Sequence, residues 1–108
     1  MAKHSVAGVA RLDRAGDIHK WCKEGGVVIL KREPDNPHDK NAIAIFIIVK
    51  MLFGLIKSEY QVGYVRAITA RKMALKLDNN ESYNASVSRV YVADWRSAVD
   101  ITIDVVFQ

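Results

Sequence analysis

The chain has 108 residues, of which 50 % are hydrophobic and 26 % charged, with a net charge of +4. That length suits one domain with its own core, and that composition excludes disordered and fibrous chains. A single cysteine, Cys22, excludes an intrachain disulfide framework and a cysteine zinc cluster, which suits a reducing compartment.

The elements follow in chain order. Residues 5–12 (SVAGVARL) read as a first strand. Residues 15–23 can form a short helix, with Ile18, Trp21 and Cys22 on one face at helical spacing, and Gly25-Gly26 ends it as a turn pair. Residues 27–32 are a second strand. Residues 42–49 are a third, so continuously apolar that both faces are expected to be covered. The third strand is open to continuing past Lys50 and returning through a turn near Gly54. Residues 61–65 (QVGYV) are a short strand. Residues 67–77 are the strongest helix, with Ala70, Met73, Ala74 and Leu77 in one apolar stripe. A turn at 78–80 leads into a strand over 82–92. Its alternation shifts phase after Val87, which predicts a bulge near Ser88-Arg89. Residues 99–107 alternate cleanly, with Val99, Ile101, Ile103, Val105 and Phe107 inward and Asp100, Thr102 and Asp104 outward.

Strands dominate and follow one another instead of alternating with helices. The expected fold is mainly β: a small, OB-like, bent antiparallel barrel of about six strands with one or two helices, the 67–77 helix closing one end. No linker, repeat or low-complexity stretch interrupts the chain, so residues 1–108 are expected to form a single domain. Residues 1–12 lack the apolar run of a signal peptide, and residues 42–56 are broken by Lys50 and Gly54. Neither supports export or a bilayer span of about 20 residues, so the expectation is a cytoplasmic protein without a membrane partner.

Chemistry is sparse outside one stretch. His4, His19 and His38 are scattered and form no HExxH pattern, Cys22 falls on the apolar face of its helix, and no GxxxxGK[ST] loop is present. Nucleotide hydrolysis is thereby excluded within these residues, and no cofactor or metal is expected. The two glycosylation sequons at Asn80 and Asn84 read as chance matches. The basic excess is local. Arg66, Arg71, Lys72 and Lys76 fall within residues 66–76, which hold no acid. Such a stretch is either a solvated helix face or a polyanion contact.

The exception is REPDNPHDKNAI, residues 32–43, set between two strands. Pro34 and Pro37 stiffen the connection and remove backbone donors, and Pro37 holds Asn36 extended. Asn36 and Asp39 can cap backbone N–H groups. A rigid turn needs no more than that. The surplus of His38, Asp39, Lys40 and Asn41 puts a ring, a carboxylate and a cation at the rim of the sheet.

This motif, followed by Val62-Gly63-Tyr64-Val65 and a helix, resembles the HIRAN domain family over most of the chain. The family occurs at the front of SNF2-type fork-remodelling translocases and as small stand-alone bacterial proteins. The resemblance implies an OB-like barrel that binds single-stranded DNA, grips a 3′-hydroxyl end and serves DNA repair or fork processing without chemistry of its own. It implies that Asp39 accepts a hydrogen bond from the terminal hydroxyl, that His38 packs on a base or sugar, and that Asn36 shapes the pocket or touches the nucleotide. Tyr64 would line the same pocket, with Lys40, Arg66 and Arg71 as phosphate contacts. The family's first strand carries an arginine and a stacking tyrosine soon after its glycine. Here Gly8 is followed by Val9-Ala10-Arg11-Leu12, so Arg11 is the matching cation and the tyrosine is missing. The implied partners are single-stranded DNA or DNA ends and a helicase or nuclease, the protein itself being a monomer or weak dimer, nucleoid-associated if bacterial.

Two other readings are set against this one. Residues 46–56 (FIIVKMLFGLI) hold enough exposed-prone hydrophobe for a protein-interaction or dimerisation surface. Glu33, Asp35 and Asp39 could hold a divalent ion in a nuclease, although the lysine such a motif requires is absent.

Overall fold

The structure is a computed structural model that describes residues 2–7, 23–94 and 98–108. It contains strands β1 (Ala2–Ala7), β2 (Val28–Arg32), β3 (Ile43–Met51), β4 (Ile56–Val65), β5 (Tyr83–Asp94) and β6 (Ala98–Phe107), with helix α1 (Ala67–Asp78) between β4 and β5. The strands form one six-stranded sheet in the order β2-β3-β4-β1-β6-β5. Every adjacent pair is antiparallel. The sheet curls until its edges meet. Val27 bridges Ser86, Gly25 N donates to Val87 O (2.8 Å) and Val87 N donates to Gly26 O (2.9 Å). Further along, the Tyr83 hydroxyl accepts from Leu30 N (3.0 Å) and donates to Leu30 O (3.4 Å), taking the place of a strand partner. The result is the partly open, OB-like barrel that the run of consecutive strands implies.

The core is the inward face of the curled sheet, with Ile43, Ile45, Val62, Ile101 and Ile103 fully buried. Alternation accounts for β6, where Ile101, Ile103 and Val105 are buried and Asp100 is exposed. Bulges account for the departures. The register of β5 on β6 shifts between Val87 and Arg89, where the change of phase predicts it. On β4, Gly63 opposes Ile45 and Gln61 opposes Phe46, so Val62 is the extra residue.

α1 lays Ala70, Met73 and Ala74 on the barrel's end, with Leu77 half-buried beside them. Its C-terminus closes as a Schellman motif: Glu81 N donates to Lys76 O, Asn80 N donates to Leu77 O, and Asn80 takes the left-handed φ of 59°. Its N-terminus has no side-chain cap and no acid in the first turn.

Several boundaries differ from the sequence reading. β1 begins at Ala2, because residues 2–5 pair with 102–105 of β6, and residues 8–12 lie outside the described residues. The helix expected at 15–23 lies outside them too, except for Lys23, which is not helical. β4 spans ten residues, not five, because β3 runs on to Met51 and returns through a turn at 52–55. The outer face of β3 is covered at Ala44 but half-open at Phe46 and Ile48, and the Lys31 ammonium sits 4.8 Å from the Phe46 ring centre.

Gly63 marks the closest approach in the barrel. A Cβ there would lie 2.5 Å from both Ala7 O and Val6 Cγ1, so β1 can pass β4 only over a glycine. Gly63→Ala is expected to destabilise the fold by about 1–3 kcal/mol, the usual cost of overpacking. Urea denaturation monitored by tryptophan fluorescence measures it.

Candidate nucleic-acid interface

The segment between β2 and β3, residues 33–42, is two turns in series. Asn36 N donates to Glu33 O (3.1 Å) across Pro34-Asp35, with proline where a turn favours it. Ala42 N donates to Asp39 O (3.0 Å), and Glu33 N donates to Ala42 O (2.9 Å), closing the base. Side chains stitch the rest. Asn36 Oδ1 accepts from His38 N (2.9 Å) and Asp39 N (3.2 Å), and Asp39 Oδ1 accepts from Asn41 N (2.9 Å). These are the capping roles that short polar side chains play in turns.

Two charged residues that the sequence reading left without such roles tie this loop to the barrel. Glu33 Oε1 accepts from Asn36 Nδ2 and from the Tyr64 hydroxyl, both at 3.0 Å. Tyr64 stands on β4 opposite Ala44 of β3 and Ala7 of β1, so the loop is fixed to the middle of the sheet. Arg32 works from the other side. Its Nε and Nη2 donate to Asp78 Oδ1 (3.0 Å) and Oδ2 (3.3 Å), and its Nη1 donates to the carbonyls of Lys40 and Ala42 (both 3.1 Å). One planar fork therefore joins the end of β2, the end of the loop and the last turn of α1. The sequence signals were slight: an arginine at a strand end, and a glutamate three residues before an asparagine.

Of the expected site residues, the structure brings Asn36, His38, Asp39, Lys40 and Tyr64 to one end of the barrel. Asn36 is half-buried and its side chain serves the loop's own backbone and Glu33. His38 and Lys40 are exposed, while Asp39 and Tyr64 are half-buried. Arg66 is exposed at the start of α1. Arg71 is exposed on α1, and its seven-residue spacing to Asp78 puts it on the helix flank that meets Arg32 and the loop. Arg11 lies outside the described residues. Among the described residues, no three His, Cys, Asp or Glu side chains gather as a metal-holding group, so Glu33, Asp35 and Asp39 do not form a nuclease metal site.

The end of the barrel thus presents a ring, a carboxylate and cations around a loop with little freedom to move. Asp39 uses one carboxylate oxygen within the loop, and Oδ2 has no hydrogen-bond partner among the described residues. That oxygen can accept a hydrogen bond from a ligand hydroxyl. Exposed rings and cations are the parts from which single-strand binding surfaces are made.

Comparison with known proteins gives a consistent result. The family model described as HIRAN domain matches residues 2–107. The crystal structure of the HIRAN domain of human HLTF superposes with a TM-score of 0.66 at 22 % identity, covering 98 % of this chain and 73 % of that one. A crystal structure of a protein from Lactobacillus plantarum superposes with a TM-score of 0.64 at 18 % identity, covering 97 % and 92 %. No match is found among curated proteins.

Arg32→Lys keeps the charge but loses the fork. Charged hydrogen bonds of this kind contribute about 1.5–3 kcal/mol, so the variant is expected to lose about 2 kcal/mol in urea denaturation. Faster amide exchange at Asn41 and Ala42 would accompany the loss.

Proposed function

Because the chain belongs to the HIRAN domain family, a family of DNA-binding modules, we propose that it binds single-stranded DNA and holds a 3′-hydroxyl end at the 33–42 loop. The observation that carries this reading is Asp39. It sits in a loop tied down by Arg32, Glu33 and Asn36, with one oxygen held by Asn41 N and the other without a partner among the described residues. In this reading Asp39 Oδ2 accepts from the terminal hydroxyl. His38 packs on the last base or sugar, Tyr64 lines the pocket, and Asn36 shapes it from behind. Lys40, Arg66 and Arg71 meet phosphates, and Arg11 is the further cation that the family pattern suggests. A carboxylate repels phosphate, so an end that is phosphorylated or continues into a further nucleotide is disfavoured by charge. Phosphate contacts give affinity that falls with salt, while the hydroxyl contact selects the end. No bond is made or broken. The module would place a helicase or nuclease partner at DNA ends during repair or fork processing, in the cytoplasm or on the nucleoid.

The test uses labelled oligonucleotides ending in 3′-hydroxyl or 3′-phosphate, at two salt concentrations. The expected result is preference for the hydroxyl by about tenfold, one charged hydrogen bond's share of the free energy, and weaker binding to both at higher salt. Asp39→Asn, which removes the repulsion, should narrow the preference. Absence of binding to either oligonucleotide at low salt defeats the reading, and an unchanged preference in the variant removes Asp39 from it.

A second reading draws on the β3–β4 turn. Leu52, Phe53 and Leu55 are strongly exposed, Phe53 completely so, and Leu52 and Phe53 both take left-handed φ angles of 51° and 57° beside Gly54 at 87°. Each left-handed non-glycine residue costs roughly 1–2 kcal/mol. A turn that is both strained and apolar at its tip suits a protein contact, including weak self-association. Light scattering over a concentration series is expected to show association that Phe53→Ser abolishes. A strict monomer at every concentration would exclude self-association.

A further inference from the structure

Lys72 and Lys76, on the flank of α1 opposite Arg71, take no part in the loop site. A cleft of about 250 Å³ lies at the start of the helix, lined by Lys3, His4, Ser5, Arg66 and Thr69. A longer one of about 530 Å³ continues between α1 and the end of β6, with Lys72, Lys76 and Phe107 on its walls. They share His4 and Thr69, so they form one open trough along the helix. Lys3, Arg66, Lys72 and Lys76 line it, and among the described residues no acid does, the nearest being Asp104, which stands opposite Lys3 in the β1–β6 pairing. Burial pushes the His4 pKa below the ordinary histidine value, against the opposing pull of Asp104.

Three features give this trough a polyanion's complement. Lys72 and Lys76 are four residues apart on one flank, a like-charge spacing that destabilises a helix slightly unless an anion lies between. They stand about 6 Å apart along the axis, on the scale of successive phosphates in an extended strand. The Lys76 ammonium rests 4.9 Å from the Phe107 ring centre, so the ring holds this cation against the wall of the trough. Arg66 connects the two surfaces. It follows Tyr64 by two residues and lines the nearer cleft.

We propose that this trough is a second nucleic-acid contact, holding the phosphodiester backbone of the strand upstream of its 3′ end. The strand leaves the loop site past Tyr64, turns round the N-terminal end of α1 at Arg66, and runs along Lys72 and Lys76 to Phe107. The path from Arg66 to Lys76 is about 15 Å along the helix, and OB folds occupy roughly 4–16 nucleotides. The inference rests on the reading of the loop as a strand-end site, and the experiment separates the two.

Fluorescence anisotropy is measured with 3′-hydroxyl oligonucleotides of 4 and 12 nucleotides, on the wild type, on Asp39→Asn, and on Lys72→Gln combined with Lys76→Gln. Both lysines are exposed, so the double variant keeps the fold. The expected result is a loss of about tenfold for the 12-mer only, with the 4-mer unchanged. The slope of log affinity against log salt should fall by about 1.4 for the 12-mer, as for two lost single-strand phosphate contacts. Unchanged 12-mer binding overturns the trough while leaving the loop intact. Equal losses at both lengths also overturn it, since they report a general field. A 12-mer that weakens in the double variant while Asp39→Asn leaves 3′-hydroxyl binding unchanged at both lengths keeps the trough and removes the loop reading. A wild type that binds neither length removes both.

Discussion

The Arg32 guanidinium is the interaction on which the functional end of the barrel depends. Its side chain is only 18 % exposed, yet it satisfies a carboxylate and two carbonyls at once. Those acceptors belong to the last turn of α1 and to the return of the 33–42 loop, two elements far apart in sequence. Without a planar donor between them, the loop's carbonyls would face a helix end that also presents carbonyl groups. The exposed Asp78 carboxylate closes the arrangement, because it gives the buried end of the fork a charge partner while remaining solvated itself. Fold and candidate site therefore meet in one residue.

Around that anchor the loop divides its polar residues into two sets. Glu33 and Asn36 face inward, each with more than one hydrogen bond, and between them they fix His38 and Asp39 by their backbone N–H groups. His38, Lys40 and the outer oxygen of Asp39 face outward. Holding the displayed groups in advance lowers the ordering cost that a flexible loop would carry on binding. The density of polar side chains in so short a connection follows from this division, since a simple turn needs only the first set.

Much of this was legible in the sequence where a local rule governs. The alternation of Ile101, Ile103 and Val105, the phase change after Val87 and the stripe of Ala70, Met73 and Ala74 are short-range patterns, and the structure follows them. The return of β3 through a turn near Gly54 was left open by the sequence, but the start of β4 was not legible, because residues 56–60 are mostly polar and exposed and are held as strand by pairing with β3. The start of β1 was hidden for the same reason, since residues 2–5 become a strand only against β6. At the site, Asn36 and Asp39 could be read as turn builders from their type and the neighbouring prolines. Glu33 and Arg32 could not, because their partners Tyr64 and Asp78 lie 31 and 46 residues away.

β3 joins the two surfaces that differ most in chemistry. At its start stands the polar loop, and at its far end the strained tip of Leu52, Phe53 and Leu55. The strand between them has nine residues, about 30 Å at an antiparallel rise. Its inward side chains Ile43, Ile45 and Ile47 lie in the core, so it cannot slide or bend without unpacking the barrel. The separation between loop and tip is therefore set by the core. A strand held at one end and a partner docked at the other would be kept a fixed distance apart, on opposite ends of one packed element. Under the proposed function, that fixed separation would set where a partner stands relative to a bound DNA end.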